Sequence, residues 1–337
     1  MATATPTRDQ TADQSPLPTN RIDTHHHLFP PKWLKEHTDD IVAVAPGIPP
    51  TAALEWTPQK SIDGMDRVGI ASAVLSIATP GVWFGDVAEA RDLVKHCNEY
   101  GAGMVADHPG RFGMFAALAL PDVDGSLRAI EYACDVLKLD GFCLVTNYDS
   151  KWPGDPAFAP VFDELNRRKA VVYFHPTCPP FARNLIPEVP PAITEFVFDT
   201  TRAITSLLYG GTLSRCPDIR FIFSHGGGTV PFLADRIASL ARRPNVPELR
   251  ARLPHGVEYE LRKLYYDVVS VSGNAAGMRA LLGLADPAHL LFGTDFPYYR
   301  IDQVDDGTRM SKVPELWSRS LNRDNALALF PRFAKTK

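Results

Sequence analysis

The feature that most constrains the fold of this chain is a regular alternation of apolar runs with amphipathic segments. Eight runs rich in Val, Ile, Phe and Leu have the length of β-strands, and seven of them are followed by a helical pattern before the next begins. The predicted strands are Ile22–His27, Ile70–Ile77, Phe112–Leu120, Gly141–Asn147, Ala170–Pro176, Arg220–Gly226, Leu264–Val271 and Leu290–Pro297. The predicted helices are Gln59–Gly69, Val87–His108, Gly125–Lys138, Phe158–Lys169, Ile193–Leu213, Val230–Arg243 and Ala275–Leu284, with two more at about Val313–Ser320 and Asp324–Phe330.

This pattern predicts an α/β protein. Near-continuous apolar strands that alternate with helices indicate a parallel sheet buried on both faces. Eight such units fit a closed (β/α)₈ TIM barrel. An open doubly wound sheet is the alternative, but it calls for a glycine-rich phosphate loop after the first strand, and the sequence has none there.

The ends of the chain and one proline-rich stretch interrupt the pattern. Residues 1–20 are rich in Thr, Ala, Pro, Asp and Gln and have neither the basic nor the apolar region of a signal peptide, so we expect a disordered leader. Residues 21–337 are predicted to form the barrel. Within it, Leu28–Pro58 contains too many prolines for a long helix and too many apolar residues for a solvated linker. We expect this insertion at about 28–58 to fold over the site as a lid.

Composition excludes several classes of partner. A net charge of −4 and a pI near 6.2 provide no basic surface for nucleic acid and no polybasic membrane patch. No window approaches 18 uncharged apolar residues, which argues against a membrane span. Five cysteines without CxxC spacing argue against a disulfide framework or a thiolate metal site. We therefore expect a cytoplasmic protein whose partner is a small molecule.

Ionisable residues concentrate at the carboxyl ends of the predicted strands, where the active site of such a barrel lies. His25 and His27 are two apart on the first strand, so their side chains share one face. His175, His225 and Asp295 follow strands five, six and eight. A single histidine at a strand end often only caps the strand, but imidazoles and a carboxylate that converge on one mouth form a typical site for a divalent metal ion.

Aromatic side chains are also expected near this mouth. Trp56, Phe84, Phe296 and Tyr298 lie on the loops after strands one, two and eight, together with Trp83 and Tyr299. Each of them is consistent with simple packing, but their shared position suits a flat, apolar substrate.

Four motifs make the chain resemble a known family: Asp-Thr-His-His-His at 23–27, Phe-Asp-Thr-Thr-Arg at 198–202, Ser-His-Gly-Gly-Gly-Thr-Val-Pro-Phe at 224–232 and Leu-Phe-Gly-Thr-Asp-Phe-Pro at 291–297. From Arg21 onward the sequence is similar to the amidohydrolase superfamily of metal-dependent barrels. The closer resemblance is to its decarboxylase branch, which includes aminocarboxymuconate-semialdehyde and 6-methylsalicylate decarboxylases.

The resemblance implies a ligand set and roles for individual residues. His25, His27, His175 and Asp295 would bind one divalent metal ion, and His225 would be a histidine that assists catalysis without binding the metal. Strand four ends in Val-Thr-Asn without the lysine that bridges two metals in related hydrolases, which favours a single ion. The resemblance also implies a homodimer, in which Arg236 would bind the substrate carboxylate from across the interface. A surface position beside Asp235 is the alternative for Arg236.

The resemblance, taken with these residues, implies a metal-dependent, non-oxidative decarboxylase of an ortho-hydroxybenzoate-like or muconate-type acid. Asp295 and His225 are the predicted catalytic residues: Asp295 or a metal-bound water delivers the proton, and His225 supports the transfer. No organic cofactor is expected, because the protonated ring itself accepts the electrons of the broken bond. Zn²⁺ is favoured by the nitrogen-rich ligand set, with Mn²⁺ as the alternative. The same ligands also serve hydrolysis of a lactone, an amide or a vinylogous C–C bond. A barrel kept only as a binding module is the third possibility, although a scaffold would not require these polar residues.

Overall fold

The fold is a closed barrel of eight parallel strands, seen in a computed structural model that describes residues 20–44, 51–301 and 318–335. The strands pair in the order β1 to β8, each with its neighbour in sequence. Their bounds are β1 Arg21–Leu28, β2 Ile70–Ile77, β3 Phe112–Ala117, β4 Gly141–Val145, β5 Val171–His175, β6 Arg220–Phe223, β7 Tyr265–Asp267 and β8 Leu290–Leu291. The predicted (β/α)₈ barrel is thereby confirmed.

Helices surround the barrel and connect its strands. Their bounds are α1 Pro31–Glu36, α2 Thr38–Val44, α3 Thr51–Leu54, α4 Pro58–Arg67, α5 Val87–Asp107, α6 Val123–Asp135, α7 Ala159–Arg167, α8 Pro191–Tyr209, α9 Thr212–Arg215, α10 Val230–Ala241, α11 Pro247–Ala251, α12 Val257–Arg262, α13 Ala275–Leu284 and α14 Asn325–Leu329. Across the described part of the chain, no helix is both long and apolar enough to cross a membrane.

The barrel closes between β1 and β8 with few regular ladder bonds, because β8 contains only two residues. The amide of Thr24 donates to the carbonyl of Phe292 at 3.0 Å, and further along the seam the amide of His27 donates to the carbonyl of Phe296 at 2.9 Å. Between these two bonds, the chain leaves the extended conformation at Asp295, whose φ is 60°. The seam is therefore irregular at the position where a predicted metal ligand lies.

Two hydrophobic layers build the core. The larger layer lies between the strands and the surrounding helices, and it includes the outward-facing side chains of β2 to β6. The smaller layer fills the barrel interior, where Phe115 and Tyr173 stack with ring centroids 5.2 Å apart. Phe330 and Phe333, which follow α14, pack against this inner layer and close the amino-terminal end of the barrel. The opposite, carboxyl-terminal end is the open mouth.

The structure corrects the bounds of several predicted elements. The predicted strands Leu264–Val271 and Leu290–Pro297 shrink to three and two residues, because side-chain hydrogen bonds replace the ladder beyond Asp267 and Leu291. The helix predicted at Ile193–Leu213 is two helices, separated at Gly211, whose φ is 78°. Most of the helix predicted at about Val313–Ser320 lies outside the described residues, as does the leader apart from Asn20.

The insertion 28–58 contains three short helices, α1 to α3, and residues 45–50 within it lie outside the described part. Its start is anchored firmly. Trp33 is fully buried, and its indole N–H donates to the carbonyl of Gly81 at 2.8 Å. That this segment acts as a lid stays a prediction.

Candidate metal centre

Three histidine rings meet at the mouth of the barrel. His25 and His27 lie on the inner face of β1, with ring centroids 5.1 Å apart. His175 ends β5, and its ring lies 5.2 Å from that of His25 and 4.8 Å from that of His27. All three side chains are buried. The alternation of side chains along β1 thus places the first and third histidines together, as the sequence predicts.

Asp295 completes the group. Its Oδ1 lies 3.2 Å from Nε2 of His25 and 3.0 Å from Nε2 of His27. One ligand atom from each of His25, His27, His175 and Asp295 falls within 4.8 Å of all the others. A single divalent ion bridges atoms at such separations, since its bonds to nitrogen and oxygen are about 2.0–2.2 Å long. The four predicted ligands therefore form a group that could bind one metal ion.

The imidazoles are turned so that their Nε2 atoms face this group. Nδ1 of His25 lies 2.9 Å from Oδ2 of Asp267, and Nδ1 of His175 lies 2.9 Å from the carbonyl oxygen of Pro176. Both acceptors hold the proton on Nδ1 and leave Nε2 with a lone pair, the usual arrangement behind metal-binding histidines. Nε2 of His25 is buried and makes no hydrogen bond, because its 3.2 Å contact with Oδ1 of Asp295 lacks hydrogen-bond geometry. Such an atom is costly without a ligand, so these residues fit a metal ion.

Asp267, at the end of β7, is a buried residue that the sequence analysis did not identify. Besides the His25 ring, its carboxylate accepts hydrogen bonds from the amide of His225 at 2.9 Å and from the hydroxyl of Tyr173 at 3.2 Å. It also accepts from the amide of Val269 at 3.1 Å. One carboxylate therefore orients a predicted ligand and the backbone of His225. The sequence signal for Asp267 was an aspartate within an apolar strand. It was missed because the strand was predicted to continue to Val271, so Asp267 was not placed at a strand end.

His225 and Asp295 face each other across the mouth. Nε2 of His225 lies 3.4 Å from Oδ2 of Asp295, while Nδ1 of His225 is buried without a hydrogen-bond partner. Both residues adopt left-handed backbone conformations, with φ of 53° and 60°. Such conformations are strained for residues other than glycine, and they persist where the surrounding structure enforces them, often at functional sites.

Burial and charge determine the protonation of this group. Burial lowers the pKa of His25, but the carboxylates of Asp295 and Asp267 outweigh it and raise that pKa to about 10. At His175, burial prevails and holds the pKa well below its ordinary value. Burial opposes ionisation of Asp295, but His25 and hydrogen bonds from His225 and His27 keep its pKa well below the usual range. The site therefore offers an ionised carboxylate at Asp295 and a neutral imidazole at His175, and a metal ion bound to Nε2 of His25 would replace the proton that this ring otherwise holds.

A cavity of about 340 Å³ opens directly above the group. His175, His225 and Asp295 form its floor, and helix α8 forms an apolar wall. None of the described residues that line it is Lys or Arg. The complete lining is Thr79, His175, Ala192, Ile193, Phe196, Val197, His225, Ser270, Asp295, Tyr298 and Tyr299. A cavity of this size and polarity suits one small aromatic molecule.

The other predicted substrate-binding residues occupy different places. Tyr298 lines the cavity, and its ring lies 5.4 Å from that of His27. Phe296 points away, and its ring packs 5.0 Å from that of His26 on the outer face of β1. Trp56 packs 5.8 Å from Phe29, Phe84 stacks on His37 at 3.5 Å, and Arg236 is exposed on α10. Among these five, the structure brings only Tyr298 to the cavity; the roles of all five in binding stay predictions.

A larger groove of about 860 Å³ lies elsewhere, between the loop after β4, helix α8 and helix α11. Lys151, Arg202 and Arg252 line it, and it contains none of the residues of the metal-binding group. It is a wide surface depression, so it is not the candidate site despite its size. The guanidinium of Arg202 lies 3.6 Å from the carboxylate of Asp199.

Proteins of known activity resemble this chain over most of its length. Decarboxylase macB of Penicillium terrestre is 34% identical over 334 residues, which cover 93% of this chain and 96% of that protein. The 6-methylsalicylic acid decarboxylase of Penicillium expansum is 34% identical over 321 residues, with coverage of 93% and 96%.

Solved structures show the same fold. The crystal structure of a dihydroxybenzoic acid decarboxylase from Polaromonas sp. JS666, with bound manganese and the inhibitor 2-nitroresorcinol, matches with a TM-score of 0.78 at 21% identity. The match covers 93% of this chain and 97% of that one. The sequence profile described as amidohydrolase matches residues 22–332. The resemblance inferred from the strand-end motifs is therefore confirmed, and the chain belongs to the amidohydrolase family, with decarboxylases among its relatives.

Proposed function

We propose that this chain is a metal-dependent, non-oxidative decarboxylase of an ortho-hydroxybenzoate-like acid. The observation that carries the proposal is the convergence of three histidines and one aspartate beneath a small, largely apolar cavity. The decarboxylase relatives support this choice of reaction. A muconate-type acid, also planar and anionic, is the alternative substrate class.

One divalent ion would be held by His25, His27, His175 and Asp295. When bound, it supplies a positive charge that polarises a substrate oxygen. The nitrogen-rich donor set favours Zn²⁺, and the manganese in the Polaromonas structure supports Mn²⁺ as the alternative. Elemental analysis of protein purified without chelators distinguishes the two metals.

The remaining chemistry is the delivery of one proton. The ring carbon that bears the carboxylate accepts a proton, the bond between this carbon and the carboxylate breaks, and CO₂ leaves while the electron pair of the bond restores the aromatic ring. Asp295, which is ionised at rest, first takes up a proton from His225, whose Nε2 lies 3.4 Å from its Oδ2, and then passes that proton to the ring carbon. Both side chains line the cavity.

The cavity wall indicates how the substrate lies. The ring would pack between Phe196 on α8 and Tyr298, with its carboxylate toward the floor. Tyr298 is partly buried, and the burial of its phenol raises the pKa of that group, so at neutral pH it keeps the O–H with which it can donate to a substrate oxygen. Because no described lining residue is cationic, the metal ion would carry most of the recognition of the acid.

A homodimer forms part of the proposal. Ile193, Phe198 and Phe232 on α8 and α10 are 66%, 44% and 85% exposed, and large exposed apolar side chains on neighbouring helices are typical of protein interfaces. Arg236 is exposed on α10, four residues after Phe232, and would reach the substrate of a second copy. Light scattering of the wild-type protein and of Phe232→Ser tests this, because a monomeric wild type contradicts the dimer.

An assay of the metal-replete protein tests the reaction. We expect CO₂ and the decarboxylated phenol from 6-methylsalicylate or another ortho-hydroxybenzoate, and no product after the metal has been removed with a chelator. The same preparation is tested against a dicarboxylate lactone, because the same ligands also serve hydrolysis. Ring opening of the lactone without CO₂ release from any hydroxybenzoate would replace the decarboxylase proposal with the hydrolase.

A further inference from the structure

The middle histidine of the His-His-His sequence faces away from the metal centre. His26 is fully buried on the outer face of β1, next to helix α4. Its Nδ1 lies 2.9 Å from Oδ2 of Asp23, and its Nε2 lies 2.9 Å from Oγ of Ser61 on α4. Nothing in the proposed chemistry uses this side chain, yet both of its nitrogens are paired.

The chemistry of the donors fixes the direction of these hydrogen bonds. The indole N–H of Trp56 can only donate, and it does so to Oγ of Ser61 at 3.0 Å. Ser61 then has its own hydrogen to donate to Nε2 of His26, and the Nδ1–H of His26 donates to Asp23. In this arrangement each of these groups has a hydrogen-bond partner. The result is a buried chain of hydrogen bonds from Trp56, in the insertion 28–58, through Ser61 and His26 to Asp23.

Asp23 links this chain of hydrogen bonds to the predicted metal ligands. Its Oδ1 accepts from the amide of His25 and from the amide of Thr294, both at 3.0 Å. Its Oδ2 accepts from the hydroxyl of Thr294 at 2.5 Å in addition to the ring of His26. Four donors thus meet on one fully buried carboxylate. Two of them are backbone amides, one belonging to a predicted metal ligand and the other to the residue before Asp295.

The seam between β1 and β8 depends on such a bridge. The regular part of β8 ends at Leu291, four residues before Asp295. The amide of Asp295 donates to the carbonyl of His25 at 2.8 Å, so the spacing of these two ligands depends on how β1 and the end of β8 are joined. Beyond Leu291, where β8 has ended, the carboxylate of Asp23 joins β1 to the segment that follows β8.

We propose that Asp23 is a positioning residue that sets the spacing of His25 and Asp295, and that the chain through His26 and Ser61 couples this spacing to Trp56 in the insertion 28–58. The inference rests on the proposed function, because it takes these ligands to hold a metal ion. Asp23, His26 and Ser61 do not line the cavity, so they act on the site only through the ligands they position.

Metal affinity is the direct readout, measured by titrating the apoprotein with Co²⁺ and recording the visible spectrum of the bound ion. Partners behind metal ligands typically contribute about 10- to 100-fold in affinity, and we expect a loss in that range for Asp23→Asn. For Ser61→Ala we expect a loss of roughly fivefold, equivalent to one buried hydrogen bond. Both variants should also shift the Co²⁺ spectrum and lower kcat, with little change in KM for the acid.

Ser72→Ala is the matched control. Ser72 is equally buried, on β2, and its hydroxyl donates to the carbonyl of Gly110 at 2.7 Å, away from the metal centre. It should lose stability but keep the wild-type affinity and spectrum. Asp23→Asn carries the larger risk of misfolding; if it does not fold, Ser61→Ala decides alone, and wild-type affinity and spectrum in that variant overturn the inference.

A double-mutant cycle tests the coupling to the insertion. Trp56→Phe removes the indole N–H, and its effect on Co²⁺ affinity should not add to that of Ser61→Ala, because both break the same chain. If Ser61→Ala and Asp23→Asn both keep wild-type affinity and spectrum, the inference is wrong although the proposed function stands. If the losses of Co²⁺ affinity in Trp56→Phe and Ser61→Ala add in the double variant, Trp56 is not coupled to the metal centre through Ser61. A wild-type protein that binds no divalent metal overturns the proposed function and this inference together.

Discussion

The two ends of the barrel treat buried side chains in opposite ways. At the mouth, Nε2 of His25 and Nδ1 of His225 are buried without hydrogen-bond partners. At the closed end, Phe115, Phe330 and Phe333 fill the interior with aromatic rings. Buried polar atoms without partners destabilise the folded state, whereas packed aromatic rings stabilise it. The mouth therefore lowers the stability of the fold where the candidate site lies, and the packed closed end offsets this loss. Variants at each end can test the two contributions separately.

The largest effect is expected at the mouth, from His225→Asn. Asparagine tolerates the left-handed conformation of residue 225, so the backbone should be kept. Loss of the imidazole next to Asp295 should lower kcat by about 10²- to 10⁴-fold, the usual contribution of an acid–base group. Metal content should not change, because His225 is not among the four residues grouped for metal binding. Turnover and elemental analysis check this, and wild-type turnover at full metal occupancy would refute the role of His225.

The matching change at the closed end is Phe333→Ala. This ring is fully buried beside Phe330, and truncation of such a side chain typically costs about 3–5 kcal/mol of unfolding free energy. Metal affinity should stay at the wild-type value. Urea denaturation and Co²⁺ titration measure the two quantities. Val136→Ala, at a site that is 61% exposed, is the control and should change stability by less than about 0.5 kcal/mol. A loss of metal affinity in Phe333→Ala would show that the two ends are not separable.

Asp267→Asn tests the connection between the two ends. Asp267 accepts from the ring of His25 at the mouth and from Tyr173, whose ring belongs to the inner core. An amide nitrogen in place of Oδ2 cannot accept the Nδ1–H of His25, so that ring loses the partner that orients it. We expect metal affinity and kcat to fall by about 10- to 100-fold.

Asp140→Asn is the control for Asp267→Asn. Asp140 is a buried carboxylate at the closed end, where it accepts from the amide of Met114 and pairs with Arg332 at 2.7 Å. Its substitution should alter stability and leave metal affinity unchanged. Equal losses of affinity in the two variants would mean that any buried aspartate supports the site, and that the position of Asp267 is not special.

The sequence predicted the barrel and the metal-binding group because both follow from periodic features. Alternating apolar strands and helices determine the barrel, and residues at the carboxyl ends of parallel strands necessarily meet at one mouth. Their position at strand ends grouped His25, His27, His175, His225 and Asp295 across some 270 positions of chain, and the family resemblance implied which four of them are the ligands.

Other parts of the site depend on strand ends, backbone turns and loop paths, which the periodic pattern of apolar residues does not determine. Asp267 was missed because the apolar pattern continues past the end of β7, although the ladder stops at this residue. The left-handed backbone conformations of His225 and Asp295 could not be predicted, because neither position is a glycine, the residue that usually indicates a positive φ. Phe84 and Phe296 were expected at the mouth from their loops, but the path of a loop decides where its side chains point, and theirs pack on His37 and His26.

The smallest effect is expected from Glu164→Gln, in the charge network at the closed end. Glu164, on α7, accepts hydrogen bonds from Arg167 at 2.7 Å and from Arg168 at 2.6 Å. The bonds from Arg167, followed by those from Arg168, outweigh burial and lower the pKa of Glu164 to about 2. A carboxyl whose pKa is lower in the folded state stabilises the protein above its unfolded value, near 4.5, and loses that contribution as the pH falls toward 2.

The network is partly solvated, since 65% of the Arg167 side chain is exposed, so screening limits the contribution of Glu164 to about 1 kcal/mol at pH 7. Glu164→Gln should therefore lower the urea midpoint at pH 7 and approach the wild type as the pH falls below 4.5, with metal affinity unchanged. Glu131→Gln, at an exposed carboxylate on α6, is the control. A difference from the wild type that persists at low pH would show that Glu164 acts through packing, because only an ionised carboxylate gains from the two arginines.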